Sequence, residues 1–307
     1  MIEFINISKH FKTDFWAKPF IALDSVSFKL EPQSITGFLG ANGAGKTTSL
    51  KIMLGFISQD SGRIEFSKNL GIGLEKFEKI GFFPERPYFY PDLTGREFLE
   101  FMGQITNVDK ERRRKNIESW AEKLKIDHAL NRKIRAYSKG MLQRLGLIAA
   151  IIHDPELIIL DEPMAGLDPV GRKEFKDIFV QLWKAGKTIF FSSHIVSDVE
   201  EICSKVIVLE KGKVLYQGDI EKLLLSAQGQ ATGETWELKT SNYNAQIGSH
   251  LPIETLCDKG KILVSTYQFQ KNNFKEIMKT VLEKDVEVQS LVSLKPTLEE
   301  IIYKIKS

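Results

Sequence analysis

Apolar and polar positions change period several times along this chain, and each change marks an element. Val26, Phe28 and Leu30 alternate with polar Ser27 and Lys29, the two-residue period of a strand with one buried face. Ser34-Ile35-Thr36-Gly37-Phe38-Leu39, Leu157-Ile158-Ile159-Leu160 and Thr188-Ile189-Phe190-Phe191-Ser192 are instead nearly continuous apolar runs. That pattern predicts strands covered on both faces, as in a parallel sheet. Gly62–Phe66 and Lys79–Phe83 read as two further short strands, and Val206–Leu209 with Lys213–Tyr216 read as a hairpin about Lys211-Gly212.

The helical signals lie between these strands. A helix is expected over Thr48–Leu54, and Thr94-Gly95-Arg96-Glu97 is a capping box ahead of Phe98, Phe101, Met102 and Ile105, which share one helical face. A second helix is predicted from Asp109 to Lys125, with its Arg112-Arg113-Arg114-Lys115 run on a solvated face. Asp168-Pro169 pairs an N-cap with proline at the first helical position, and Asp219 starts a short helix. The composition then shifts, and Ala227–Gly233 reads as a linker. Beyond it the pattern predicts a strand at 235–240, a helix at 242–250, strands at 253–257 and 261–267, a helix at 272–284, a strand at 286–293 and a last helix from Thr297. That βαββαβ order with a tail helix fits a small ferredoxin-like sandwich. The expected organisation is an α/β domain over 1–225 with a helical subdomain at about 94–150, a linker at 226–233, and an accessory α+β domain over 234–307.

Bulk composition narrows the function classes. The 307 residues suffice for about two domains. With 43 Lys+Arg against 40 Asp+Glu, the chain has no global electrostatic footprint for nucleic acid. Cys203 and Cys257 show no metal-ligand spacing and suit a reducing compartment. Met1-Ile2-Glu3-Phe4-Ile5 carries no sign of a signal peptide, and no apolar run has the length of a membrane span, so a membrane role is expected to run through a partner.

The chemistry is concentrated after the Ser34–Leu39 strand. Gly40-Ala41-Asn42-Gly43-Ala44-Gly45-Lys46-Thr47-Thr48 stands between strand and helix as a phosphate-binding loop of the form G-x-x-x-x-G-K-[ST]. Its glycines let backbone N–H groups approach phosphate oxygens, and the following helix offers its positive dipole end. Lys46 is placed to bridge the β- and γ-phosphates, and the Thr47 hydroxyl to hold Mg²⁺. Asp161, at the end of an apolar strand, can take Mg²⁺ directly or through water, and its neighbour Glu162 can act as general base for an attacking water. His194 follows another strand and can reach the γ-phosphate. Phe11, Phe15, Trp16 and Phe20 cluster ahead of the loop, where one ring could stack on a base.

A phosphate loop alone does not separate kinases, GTPases and transport ATPases. The stretch Tyr137-Ser138-Lys139-Gly140-Met141-Leu142-Gln143-Arg144 does. Over about residues 2–225 the sequence resembles the ATP-binding subunits of ABC transporters, with Tyr137–Met141 standing where that family has Leu-Ser-Gly-Gly-Gln. Ser138 and Gly140 match; Tyr137, Lys139 and Met141 depart, in a manner similar to the exporter-like branch with separate permease chains. Leu160-Asp161-Glu162-Pro163 resembles the family's Walker B, Gly166-Leu167-Asp168 its D-loop, and His194 its switch histidine. Glu85 stands where the family usually has a glutamine that ligates Mg²⁺. Ser8-Lys9-His10-Phe11 resembles the segment carrying the adenine-stacking ring, although an insertion at 12–20 leaves Phe20 and Trp16 as alternatives. Val292–Glu300 resembles the end of the extra domain on many such exporter subunits.

The resemblance implies a P-loop NTPase core with an antiparallel β subdomain and a helical subdomain. It implies ATP and Mg²⁺ as ligands, with Phe11, Gly40, Asn42, Gly43, Ala44, Gly45, Lys46, Thr47 and Thr48 on ATP, and Thr47, Asp161 and Glu85 on the metal. Glu162, His194 and Lys46 would carry hydrolysis. Two copies would pair head to tail, with Ser138, Gly140 and Asp168 reaching across the interface. A membrane permease docked between residues 84–105 and the core would keep the chain on the cytoplasmic face of the membrane. The rival reading is a soluble ATPase of the same superfamily acting on DNA or ribosomes. Residues 55–135 leave no room for the long coiled coil of the DNA-repair members, and there is one ATPase unit where ribosome-associated members usually have two.

Overall fold

The structure, a computed structural model, describes residues 1–12, 19–71, 73–230, 235–241, 247, 250, 252–258, 261–294 and 297–306. The described chain divides into two compact units, Met1–Ile220 and Glu221–Ile305. The first begins with β1 (Ile2–Phe11), β2 (Phe20–Leu30), β3 (Ile35–Leu39), α1 (Lys46–Met53), β4 (Ser61–Phe66) and β5 (Ile80–Phe83). It continues with α2 (Gly95–Ile105), α3 (Lys110–Lys123), α4 (Lys139–Ile151), β6 (Leu157–Leu160) and α5 (Pro169–Lys184). It ends with β7 (Thr188–Ser193), α6 (Val196–Ile202), β8 (Lys205–Glu210) and β9 (Lys213–Asp219).

The continuous apolar runs form the middle of a six-stranded sheet of order β5-β6-β7-β3-β8-β9. Every residue of β3, β6 and β7 is buried, as strands covered on both faces must be. All pairs are parallel except the β8–β9 hairpin. A second, antiparallel sheet, β2-β1-β4, covers part of the first. The alternation in β2 behaves as expected, with Val26, Phe28 and Leu30 buried and Ser27 and Lys29 exposed. Phe28 joins the two sheets: its ring stacks on Phe4 at 4.3 Å and lies 5.6 Å from Phe38 and 6.1 Å from Phe190.

Between β5 and β6 the chain is helical, with α2 against α3 and α4. The capping box forms: Thr94 Oγ1 accepts from the Glu97 N–H, and Glu97 Oε2 accepts from the Thr94 N–H at 2.7 Å. Of the apolar face of α2, Phe98 is buried while Phe101, beside Tyr90, and Ile105 are exposed. One expectation here needs correction. In the basic run, Arg113 is buried, with its guanidinium on Glu100 and on the Val108 carbonyl, so the run is not uniformly solvated.

The chain then enters α7 (Ile220–Gln230), followed in the second unit by β10 (Thr235–Ser241), β11 (Glu254–Asp258), β12 (Lys261–Gln270), α8 (Phe274–Glu283), β13 (Val288–Leu294) and α9 (Leu298–Lys306). Residues 226–230, expected to be linker, therefore extend a helix; Ala and Gln are good helix formers, and no proline stops them. The strands of the second unit form an antiparallel sheet of order β11-β12-β10-β13. Ile277 and Val281 of α8 pack with Leu238, Tyr267, Phe269 and Val286 in its core. Most of the helix expected at 242–250 falls outside the described residues, and of that stretch Ile247 and His250 form an antiparallel bridge. Phe15, Trp16 and residues 231–233 also lie outside the described residues.

Candidate nucleotide-binding site

Strand order places the site. β6, β7 and β3 are adjacent and parallel, and their registers align Leu160 with Phe191 and Leu39 with Ser193. The residues that leave the carboxyl ends of these strands therefore meet at one edge: Gly40 after β3, Asp161 and Glu162 after β6, and His194 after β7. This is where open α/β sheets take their ligands.

The loop from β3 to α1 has a shape that only some residues allow. Gly45 caps α1 with φ of 108°, and a Cβ there would come within 2.6 Å of the Ala22 carbonyl oxygen. A Cβ on Gly40 would lie 2.5 Å from the Leu209 carbonyl oxygen. Lys46, the first residue of α1, is buried, and its side chain turns back along the loop. Its ammonium donates to the carbonyls of Gly40 at 2.6 Å and Ala41 at 3.2 Å. Glu162 Oε1 faces the same ammonium at 3.2 Å as an ion pair without hydrogen-bond alignment. Glu162 Oε2 meets His194 Nδ1 at 2.9 Å. Lysine, glutamate and histidine from three separate strand ends thus form one contiguous set.

Behind them, Asp161 is buried, and its Oδ1 accepts from the Ser192 hydroxyl at 2.6 Å. The Ser192 oxygen also accepts from the Glu162 N–H at 2.8 Å. Glu162 itself has φ of 48°, which turns the chain sharply after β6. His194 stands two residues ahead of α6, and that helix is tied to α5 by Arg172 Nη2 on Asp198 Oδ2 at 2.8 Å. Burial holds the Asp198 carboxyl above its ordinary range, with Arg172 and Lys176 opposing the shift.

These groups open on a cleft of about 400 Å³ lined by Phe20, Ala22, residues 41–43 and 45–48, Glu85, Glu162, Ala165 and His194. Asn42, Gly43, Gly45, Lys46, Thr47, Thr48, Glu85, Glu162 and His194 are thereby brought together as the sequence predicts. Phe11 does not line the cleft; Phe20, held open as an alternative, does, and that residue is 58% exposed. Asp161 lines a neighbouring cleft of about 450 Å³ that shares Thr47 and Glu85 with the first and continues to Phe56, Phe82 and Tyr88. Ser138, Gly140 and Asp168 lie away from both clefts. Ser138 caps α4 by accepting from the Met141 N–H, and Asp168 caps α5 by accepting from the Gly171 N–H at 2.7 Å. Gln143 of α4 donates to the Ala165 carbonyl, which ties α4 to the segment after Glu162. Sequence reasoning missed Ser192 and Ala165. The signal for Ser192 was a pair of serines closing an apolar run; Ala165 gave none.

A glycine-framed loop opening a helix, its lysine paired with a carboxylate past the next strand and a histidine past a third, defines a P-loop nucleotide hydrolase. The ABC transporter sequence profile matches residues 23–165. The chain is 40% identical over 233 residues to an ABC transporter ATP-binding protein of Synechocystis, covering 75% of this chain and 66% of that protein. It is 32% identical over 288 residues to the ABC transporter ATP-binding protein YdbJ of Bacillus subtilis, covering 91% of this chain and 88% of YdbJ. It is also 39% identical over 197 residues to the bacitracin transport ATP-binding protein BcrA of Bacillus licheniformis, covering 63% of each. Among solved structures, the dimeric post-hydrolysis form of the ATP-binding cassette MJ0796 bound to ADP and Pi superposes with a TM-score of 0.64 at 22% identity, over 72% of this chain and 99% of that one, a likeness of fold. The chain belongs to the ATP-binding proteins of ABC transporters and is an ATPase of that family.

Proposed function

We propose that two copies of this chain bind ATP between them and hydrolyse it to drive a substrate outward through a separate membrane permease. The observation that carries this reading is the set Lys46, Glu162 and His194, joined at 3.2 Å and 2.9 Å at the loop mouth. On ATP binding, Lys46 exchanges the Gly40 and Ala41 carbonyls for phosphate oxygens, and Glu162 is released to face the attacking water. His194, paired with Glu162 in the free chain, holds the γ-phosphate side of the cleft. Phe20, which lines the cleft, takes the adenine-stacking role in place of Phe11.

The donor set fits Mg²⁺. The Thr47 hydroxyl and the Asp161 and Glu85 carboxylates are hard oxygen donors around adjoining clefts. Among the described residues no group of three or more His, Cys, Asp or Glu could hold a metal by itself, which suits an ion completed by phosphate oxygens. When bound, Mg²⁺ would neutralise charge developing on the phosphates. The exposed capping ends at Ser138 and Asp168, with Gly140, would close over the partner copy's ATP.

The permease is inferred from two features. No described helix is long and apolar enough to cross a membrane. Tyr88, Tyr90, Phe101 and Ile105 leave an exposed apolar surface, which a cleft of about 610 Å³ lined by Tyr90, Pro91, Asp92, Leu93, Glu97 and Phe101 extends. A permease segment docked there would hold the chain at the cytoplasmic face of the membrane. Similarity to BcrA supports transport, and the exporter-like Tyr137–Met141 supports the outward direction. The test is purification of the tagged chain from membranes and identification of what elutes with it. A multi-span membrane protein is the expected companion; co-elution with ribosomes or nucleic acid would overturn the reading.

A further inference from the structure

β7 is apolar from Ile189 to Phe191 and then buries a hydroxyl, that of Ser192, which is 0% exposed. A buried hydroxyl is costly unless it is bonded, so its partners matter. Both lie on one neighbouring turn. The register of Leu160 with Phe191 brings Ser192 level with Asp161, and the hydroxyl donates to Asp161 Oδ1 at 2.6 Å. The same oxygen accepts from the Glu162 N–H at 2.8 Å. One atom is therefore bonded both to the carboxylate placed to hold the metal and to the backbone of the carboxylate placed to activate water.

The second bond bears on direction. Glu162 has a left-handed φ of 48°, uncommon for a residue with a side chain, so the conformation must be enforced by its surroundings. Three bonds do this: the Ser192 oxygen on the Glu162 N–H, the Glu162 carbonyl accepting from the Ala165 N–H at 3.0 Å, and the preceding Asp161 N–H on the Phe83 carbonyl at 2.8 Å. The turn that results points the Glu162 carboxylate at Lys46 and His194. Of the three, only the Ser192 bond comes from a side chain.

We propose that Ser192 is a positioning residue that locks Asp161 and Glu162 into one rigid unit, fixing the orientation of the first and the backbone turn of the second. The proposal rests on the reading of Asp161 and Glu162 given above. Removing the hydroxyl leaves the Asp161 oxygen without its donor and the Glu162 N–H without its acceptor, while Lys46 and the loop that binds phosphate are untouched. The catalytic rate falls and nucleotide affinity is kept.

The test compares full-length wild type, Ser192→Ala and Ser192→Thr, the last of which keeps the hydroxyl. Phosphate release is measured with saturating ATP and Mg²⁺, affinity with a non-hydrolysable ATP analogue, and amide hydrogen exchange of nucleotide-free protein in a peptide spanning 161–165. In Ser192→Ala the rate should fall at least about fivefold with affinity held within about twofold. Exchange at the Glu162 amide should quicken, and Ser192→Thr should recover most of both losses. A fall smaller than this, an equal fall in affinity, unchanged exchange, or failure of a folded Ser192→Thr to recover would each overturn the proposal. If wild type itself released no phosphate, the reading of Glu162 would fail, and the exchange comparison alone would decide whether Ser192 holds the turn.

Discussion

Replacing Glu162 by glutamine separates what this site does in binding from what it does in chemistry. In the free chain the carboxylate stands 3.2 Å from the Lys46 ammonium and 2.9 Å from His194. The gross attraction of two unit charges 3.2 Å apart is about 5 kcal/mol at an effective dielectric of about 20, and desolvation offsets much of it. Lys46 keeps its bonds to the Gly40 and Ala41 carbonyls, so the fold should lose no more than about 1–2 kcal/mol. Nucleotide affinity should hold or rise, because Lys46 no longer has to leave a carboxylate and a negative charge beside the phosphates is gone. Hydrolysis should fall about 10²–10⁴-fold, a barrier increase of about 3–5 kcal/mol, because the amide cannot accept the proton of the attacking water. With binding intact and turnover blocked, the ATP-closed dimer should accumulate. Phosphate release, equilibrium ATP binding, and size-exclusion chromatography with light scattering, with and without ATP and Mg²⁺, measure the three effects. Adding Ser138→Arg should return the protein to monomer, since Ser138 lies at an exposed helix start outside the chain's own cleft. Wild-type hydrolysis by Glu162→Gln would refute the assignment of the base. An inactive variant that binds ATP yet stays monomeric would refute the head-to-tail arrangement for the isolated chain.

Three further outcomes are expected. Phe28→Ala should destabilise the first unit by about 3–5 kcal/mol in denaturant titration, because it removes the ring that joins Phe4, Phe38 and Phe190. A chain ending after Gln230 should still bind ATP in equilibrium dialysis, since every residue lining the nucleotide cleft precedes it. Lys9 and the His10 N–H hold the Asp60 carboxyl at about 2. That depressed value gives stability present above the ordinary carboxylate range and lost as pH falls towards about 2, so Asp60→Asn should flatten the acid limb of a pH-dependent melting curve.

The phosphate loop was legible in the sequence because its chemistry needs glycine, lysine and threonine at fixed spacing, and few other structures need all three. Asp161, Glu162 and His194 were legible for a related reason: each ends a run too apolar to be anything but a buried strand. Phe20 was harder to assign, because which aromatic reaches the cleft depends on the pairing of β1 with β2, and that register shifts three times. Ser192 was hidden because its role depends on which strands are neighbours, information that no local pattern carries. Periodicity found the apolar stripe of α2 but could not tell that Phe101 and Ile105 would be left uncovered. The basic run misled for the opposite reason: charge alone does not show that Arg113 turns inward to Glu100.

The position of β3 between β7 and β8 has a consequence for how the protein comes into being. β3 is translated before its partners, Thr188–Ser193 and Lys205–Glu210, which follow roughly 150 residues later, about 10–30 s at ordinary elongation rates. During that interval Ile35–Leu39 is an apolar segment with no sheet to join, and Gly40–Thr47 is a loop with no frame to hold its curve. The nascent chain thus cannot grip nucleotide as soon as its glycine loop exists. It should acquire that ability in one late step, when β7, which leads to His194 and carries β6 on its far side, and β8 close on either side of β3, so half-made copies should turn over no ATP.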